Sequence, residues 1–174
     1  EAVIANIAIM KSANIFTNLD VKTPGQRLSN IVDLIEPVLI ITDVKNVELI
    51  NEVSGKIPIL IIDDVNWEEN INKETVKQQW SSVIDTDPFC IINTSGSTGT
   101  PKGVVLNHLS FLDFIYRSHE AFNIGENEIM GSLSPLVFDI YVLELCMLMY
   151  RSATIVLLPA HLSAFPVKIL KIMQ

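Results

Sequence analysis

"IINTSGSTGTPKGVVLNH" occupies residues 91–108. A short apolar run leads in, and the apolar pair Val104 and Val105 leads out. Between them, residues 94–103 carry none of the larger apolar side chains. Five hydroxyls, on Thr94, Ser95, Ser97, Thr98 and Thr100, fall within seven residues. Gly96 and Gly99 free the backbone for conformations in which successive amide N–H groups point to one side. Lys102 adds a flexible positive charge, and the set suits the oxygens of a polyphosphate. The spacing is neither G-x-x-x-x-G-K-[ST] nor G-x-G-x-x-G. Strand-like runs flank the loop, at 89–93 and 104–106, whereas a Walker-type loop opens a helix and uses its dipole. Hydroxyls, amides and the lysine therefore have to form the cradle themselves. The structural alternative is an exposed Ser/Gly turn between two strands, which needs fewer residues than stand here.

Outward from the loop, helical and strand-like stretches alternate. Residues 1–12 have a helical apolar pattern, and 14–19 form a short extended piece. Thr23 is placed to cap a helix with Pro24 in its first turn. Leu28, Ile31, Leu34 and Ile35 follow at helical spacing, and Pro37 ends the run. Residues 38–42 and 57–62 are continuous apolar runs, as expected of strands buried on both faces, with a short helix near 44–53 between them. Residues 63–82 are polar, with Trp67 and Trp80 as expected anchors. Beyond the loop come a helix at 107–121, with Leu109, Leu112, Phe114, Ile115 and Tyr116 buried in part, and a strand at 129–133. An almost wholly apolar helix within 137–150, a buried strand at 153–158 and a helix from 166 complete the order. This predicts an α/β fold of alternating helices and short buried strands, with largely parallel sheets. The expected organisation is a first α/β portion at 1–62, a polar excursion at 63–87, and a loop-bearing portion at 88–174.

Of the 174 residues, 49% are apolar and 18% charged, which is a globular composition with a sizeable core. Twelve Lys and Arg against 20 Asp and Glu give a formal charge of −8 and no basic run. Nucleic acid is therefore excluded as a general partner. No apolar run is long enough for a membrane span, and Glu144 interrupts the densest one. Cys90 and Cys146 both lie among apolar neighbours and read as core residues, with a reducing cytoplasm as the natural setting. The three histidines show no metal or triad spacing. His108 reads either as a helix-start residue or as a hydrogen-bonding neighbour of the loop. Both ends of the chain fall inside helical patterns, and the expectation is a piece of a longer protein.

"TSGSTGTPKG" at 94–103 resembles the signature of the adenylate-forming enzymes, over its full length. That superfamily includes acyl- and aryl-CoA synthetases, luciferases, amino-acid adenylation domains of peptide synthetases, and D-alanine–carrier-protein ligases. Residues 1–42 resemble the front of its large N-terminal domain, with Asn18-Leu19-Asp20 where Pro-Leu-Asp is usual. "SPLVFDIYVLEL" at 134–145 resembles the amino-acid adenylation pattern Phe-Asp-x-Ser-x-x-Glu, with Tyr141 in place of Ser. The resemblance implies an ATP- and Mg²⁺-dependent ligase. A carboxylate attacks the α-phosphate, pyrophosphate leaves, and the acyl group passes to a thiol, commonly the phosphopantetheine of a carrier protein.

By position, Thr94, Ser95, Gly96, Ser97, Thr98, Gly99 and Lys102 would hold the β- and γ-phosphates. Lys102 would stabilise the charge on the leaving pyrophosphate. Asp139 would pair with the α-ammonium of an amino acid, and Ile140 and Leu143 would line its pocket. In isolation Asp139 reads equally well as a first-turn acid favoured by the helix dipole. Acyl- and aryl-CoA synthetases often have a histidine in this neighbourhood, and none stands here, so an amino acid is the expected substrate. The alternatives are an acyl- or aryl-CoA synthetase, or a non-catalytic nucleotide- or phosphate-binding module.

The resemblance also implies a Tyr-Gly-x-Thr-Glu stretch, a ribose-binding Asp and a Lys on a separate small domain, none of which occurs in these 174 residues. The 174-residue chain alone is therefore expected not to adenylate. Amino-acid-driven ATP–pyrophosphate exchange by the purified chain should stay at background, and exchange above background would overturn this expectation.

Overall fold

The computed structural model describes residues 1–68, 71–95 and 101–173. The chain forms two compact units, Glu1–His108 and Leu109–Gln174.

The first unit opens with α1 (Ala2–Lys11) and an extended piece whose Phe16 bridges Cys90 in parallel. Next comes α2 (Gly25–Ile35). Its N-cap is Pro24 rather than Thr23, and no side chain caps it. Thr23 is drawn into a turn instead, its N–H donating to the Asp20 carbonyl at 2.8 Å. Glu36 ends α2 in the left-handed region (φ 48°), and Pro37 prevents continuation. β1 (Ile40–Thr42) and β2 (Ile59–Ile61) pair in parallel, with α3 (Val47–Ser54) as the crossover. Gly55 terminates α3 at φ 59°, a conformation open to glycine at little cost.

The apolar face of α2 meets α3 and β1 in a core of Leu28, Val32, Ile40, Ile50 and Val53, with Leu19, Leu49, Ile57 and Ile59 packed around it. β1 and β2 are not buried on both faces as their sequence suggests. Ile59 packs on the core, but Leu60 and Val38 are exposed. The helices cover the Ile40 and Ile59 side of the pair, and strand alternation turns Leu60 the other way.

A short 3-10 turn (Ile62–Asp64) leads to the polar stretch, where α4 (Lys73–Ser81) forms. Asn72 caps α4, its Oδ1 accepting from the backbone N–H of Glu74 at 3.1 Å and of Thr75 at 3.2 Å. No residue of α4 is buried. Trp67 and Trp80 are both exposed, so neither anchors this stretch in a core. β3 (Pro88–Ser95) and β4 (Pro101–Asn107) then form an antiparallel pair.

α5 spans His108–Phe122 and, from Leu109 on, opens the second unit. Its buried residues are Phe111, Ile115 and Ser118, an i, i+4, i+7 stripe. Leu109, Leu112, Phe114 and Tyr116 lie off that stripe and are exposed, which corrects the expected packing of this helix. β5 (Ile129–Ser132) pairs in parallel with β6 (Thr154–Leu157), and α6 (Asp139–Arg151) is the crossover. Tyr141, Val142, Leu145, Cys146 and Met147 bury α6. β6 is less buried than its apolar sequence suggests, since Val156 and Leu157 are exposed. A 3-10 turn (Ala160–Ala164) and α7 (Pro166–Ile172) follow, with proline in the first turn of α7. Mixed α/β architecture built on parallel crossovers is thus as the sequence predicts, and the antiparallel β3–β4 pair is the exception.

Leu28 is 1% exposed at the centre of the first unit's core. Leu28→Ala should lower the stability of this unit by about 2–5 kcal/mol, the range for truncating a buried leucine. Urea denaturation of both proteins measures the difference.

Candidate functional sites: the loop-bearing hairpin, and separately the first turn of α6

The sequence signature sits on the β3–β4 hairpin. Cys90 pairs with Leu106, Ile92 with Val104, Thr94 with Lys102, and Ser95 with Pro101. The ladder therefore runs beyond the apolar runs and into the polar signature. Pairs directly opposite one another share a face. Thr94 and Lys102 lie on the face that carries buried Cys90 at its far end, but both are exposed at the loop end. The Thr94 hydroxyl donates to the Lys102 carbonyl at 3.4 Å. Thr94, Ser95 and Lys102 are thus brought to adjoining positions where the loop leaves the ladder. Gly96, Ser97, Thr98 and Gly99 lie outside the described residues.

Three contacts fix the hairpin. Phe16 lies beside β3, its N–H donating to the Phe89 carbonyl at 3.2 Å and its carbonyl accepting from Ile91 N–H at 2.9 Å. On the other face from Thr94, the Asn93 amide donates to the Thr17 hydroxyl at 3.0 Å. Its Oδ1 is buried and has no hydrogen-bond partner among the described residues. Opposite Asn93 stands Gly103, where an added Cβ would come within 2.9 Å of Ile91 Cγ2. The last position of the signature thus needs glycine for close packing.

At the base of the hairpin, His108 starts α5, and its N–H donates to the Asp87 carbonyl at 3.0 Å. Its ring rests 5.4 Å from Phe89 and 6.5 Å, edge-on, from Trp80. This is the helix-start role of the two read for His108. Cys90 is fully buried, and burial pushes its thiol up to about 12, so it is a core residue with no nucleophilic character near neutral pH. Cys146 is likewise a free, buried thiol.

In the second unit, Asp139 is the first residue of α6, after the N-cap Phe138. It is exposed, and its Oδ1 accepts from the Ile140 N–H at 2.9 Å. Ile140 is exposed and Leu143 half-buried. Tyr141, in the place of the usual serine, is 1% exposed and belongs to the core.

Glu144, which interrupts the apolar run of α6, is buried and accepts a hydrogen bond from Ser132 Oγ at 2.5 Å. Burial pushes its carboxyl above the ordinary range, and the Ser132 bond opposes that shift. An acid inside an otherwise apolar helix was the available signal, although its strand partner was not evident. Asn93 was missed as well, a lone polar residue at the end of an apolar run. Among the described residues no group of three His, Cys, Asp or Glu could hold a metal ion, and no helix is long and apolar enough to cross a membrane.

Residues 1–174 in full match the family model of the AMP-binding enzyme. The chain belongs to the AMP-binding enzyme family. This AMP-binding chain is 32% identical over 157 residues to a dimodular nonribosomal peptide synthase of Bacillus subtilis (strain 168), covering 90% of the chain and 7% of that protein. A fatty acyl-adenylate ligase from L. pneumophila, solved with acyl adenylate and pyrophosphate, superposes with a TM-score of 0.77 at 20% identity. That match covers 98% of the chain and 30% of the ligase. The complex of VinN with L-aspartate superposes with a TM-score of 0.74 at 19% identity, covering 90% of the chain and 44% of VinN. These two structures share the fold. The chain thus spans less than half the length of each of these proteins.

Proposed function

We propose that this chain is the front part of the large domain of an AMP-forming acid–thiol ligase of the amino-acid adenylation type. Within it, residues 1–62 form a supporting α/β portion, 63–87 a polar excursion, and 88–174 the phosphate loop and acyl-pocket portion. The observation that carries the reading is the register of the hairpin. It sets Thr94 opposite Lys102 where the hydroxyl-rich loop departs. A hydroxyl and an ammonium at adjoining positions fit the β- and γ-phosphate oxygens of ATP, with Ser95, Gly96, Ser97, Thr98 and Gly99 completing the grip.

In the proposed reaction the substrate carboxylate attacks the α-phosphorus, and the bond to the β-phosphate bridging oxygen breaks. Lys102 stabilises the negative charge that grows on the departing pyrophosphate. Mg²⁺, when bound with ATP, neutralises phosphate charge. A carrier-protein thiol then attacks the acyl-adenylate carbonyl and AMP leaves.

The substrate we favour is an amino acid, with Asp139 accepting the α-ammonium and Ile140 and Leu143 lining the side-chain pocket. The likeness to the peptide synthase supports this choice. An acyl- or aryl-CoA synthetase is the second reading, favoured by the exposure of Asp139, which here lacks the shielding that sharpens charge recognition. Two free, buried thiols fit a reducing cytoplasm as the setting.

In the complete enzyme, Lys102→Ala should lower the adenylation rate about 10²–10³-fold, the scale for losing one preorganised charge-stabilising donor. Unchanged rate and ATP dependence would remove Lys102 from its role. A panel of amino acids and their deaminated analogues tests Asp139. The enzyme should prefer the amines, and Asp139→Ala should erase the preference. Equal use of both classes by the unaltered enzyme would sink the amino-acid reading.

A further inference from the structure

The chain leaves β5 at Ser132, turns through residues 133–138, and enters α6 at Asp139. Within the turn the Phe138 N–H donates to the Pro135 carbonyl at 3.0 Å. On the second turn of α6, Glu144 reaches back, and the Ser132 hydroxyl donates to its Oε2 at 2.5 Å. Ser132 is 4% exposed and Glu144 7%. The bond therefore closes a ring over twelve residues of sequence separation. Phe138, Asp139 and Ile140, the exposed positions at the mouth of α6, lie inside that ring. Tyr141 and Val142, inside the ring too, are buried and fix its inner side.

We propose that the Ser132–Glu144 hydrogen bond is a clamp that sets the position of the first turn of α6, and that Glu144 is thereby a positioning residue for the acid-binding face. The functional meaning rests on the reading of Asp139, Ile140 and Leu143 as pocket residues, whereas the clamp itself does not.

Water does not compete for a bond buried in these surroundings, so it restrains more than a surface bond would. β5 and β6, which pack on α6, carry no titratable side chain. On α6 itself the titratable neighbours of Glu144 are Asp139 at the helix start and the buried Tyr141 and Cys146. α5 meets α6 through Tyr116 and His119 against the Tyr150 ring, at the other end of the helix. Ser132 is thus the polar partner that defines the Glu144 carboxyl. Burial without a positive neighbour favours its neutral form, so its proton leaves above the ordinary carboxylate range. Ionisation in place strengthens the pull on the Ser132 hydroxyl while exposing the segment to an unscreened buried charge. The first turn of α6 should feel that change.

The test uses the 174-residue chain and amide NMR across pH, with no ligand. In the unaltered chain the Phe138 and Ile140 amides should show a step above the ordinary carboxylate range, from Glu144. Glu144→Gln preserves shape and the acceptor oxygen, and should abolish this step. Ser132→Ala should displace the 138–140 amide resonances while leaving those of α7 in place. If Ser132→Ala does not fold, Glu144→Gln alone decides. Amides at 138 and 140 that show no such step, or keep it in Glu144→Gln, would overturn the clamp. Failure of the pocket reading would look different, with the Glu144 step present and amines and their deaminated analogues used alike.

Discussion

The antiparallel ladder from Cys90–Leu106 to Ser95–Pro101 is the constraint on which the loop depends. At its buried end, Cys90 is sealed from water and Phe16 pairs alongside. At its open end the same strands deliver Thr94 and Lys102 to facing positions. A slip of one residue would send Lys102 to the opposite face, because side-chain direction alternates along a strand. Register is defended where a slip would be most costly. Gly103 tolerates the Ile91 methyl only because it has no Cβ, and Asn93 is tied to Thr17. The placement of Thr94 and Lys102 where the loop departs is therefore specified by the packing of the strands that lead to it.

Much of this was legible beforehand, for physical reasons that differ by element. The hairpin was readable because two apolar runs bracket a hydroxyl-rich stretch. Its strands nevertheless prove longer than those runs, since ladder bonds join backbone groups and are indifferent to whether Thr94, Ser95 or Lys102 is apolar. Parallel crossovers were readable from the alternation of elements, but strand burial was not. An apolar run such as that around Leu60 reports what a strand could bury and says nothing about whether a helix lies over both faces. In α5 several apolar residues crowd the sequence, and among the described residues only the stripe of Phe111, Ile115 and Ser118 is buried.

At the candidate site the limits were of another kind. Asp139 could be placed at a helix start from sequence, and the structure puts it in the first turn, exposed. Tyr141 could be noticed as a departure, yet only packing shows that its ring belongs to the core of α6, away from the surface that carries Ile140. Glu144 stood out as an acid in an apolar helix. Its partner Ser132 lies on another element, and pairings across elements are set by tertiary packing that no local pattern encodes.

Asn93 makes the hairpin a poor stability optimum. A buried carbonyl oxygen without a partner forfeits about 1–3 kcal/mol of hydration that nothing in the described residues returns. Exchanging Asn93 and Thr17 together for apolar side chains of similar shape would remove the deficit and the tie in one stroke. Such a chain could be sturdier and yet hold its loop less firmly in register. Rigidity of the loop's footing and thermodynamic stability of the fold are thus separable quantities in this hairpin, and an engineer who selects for the second could lose the first.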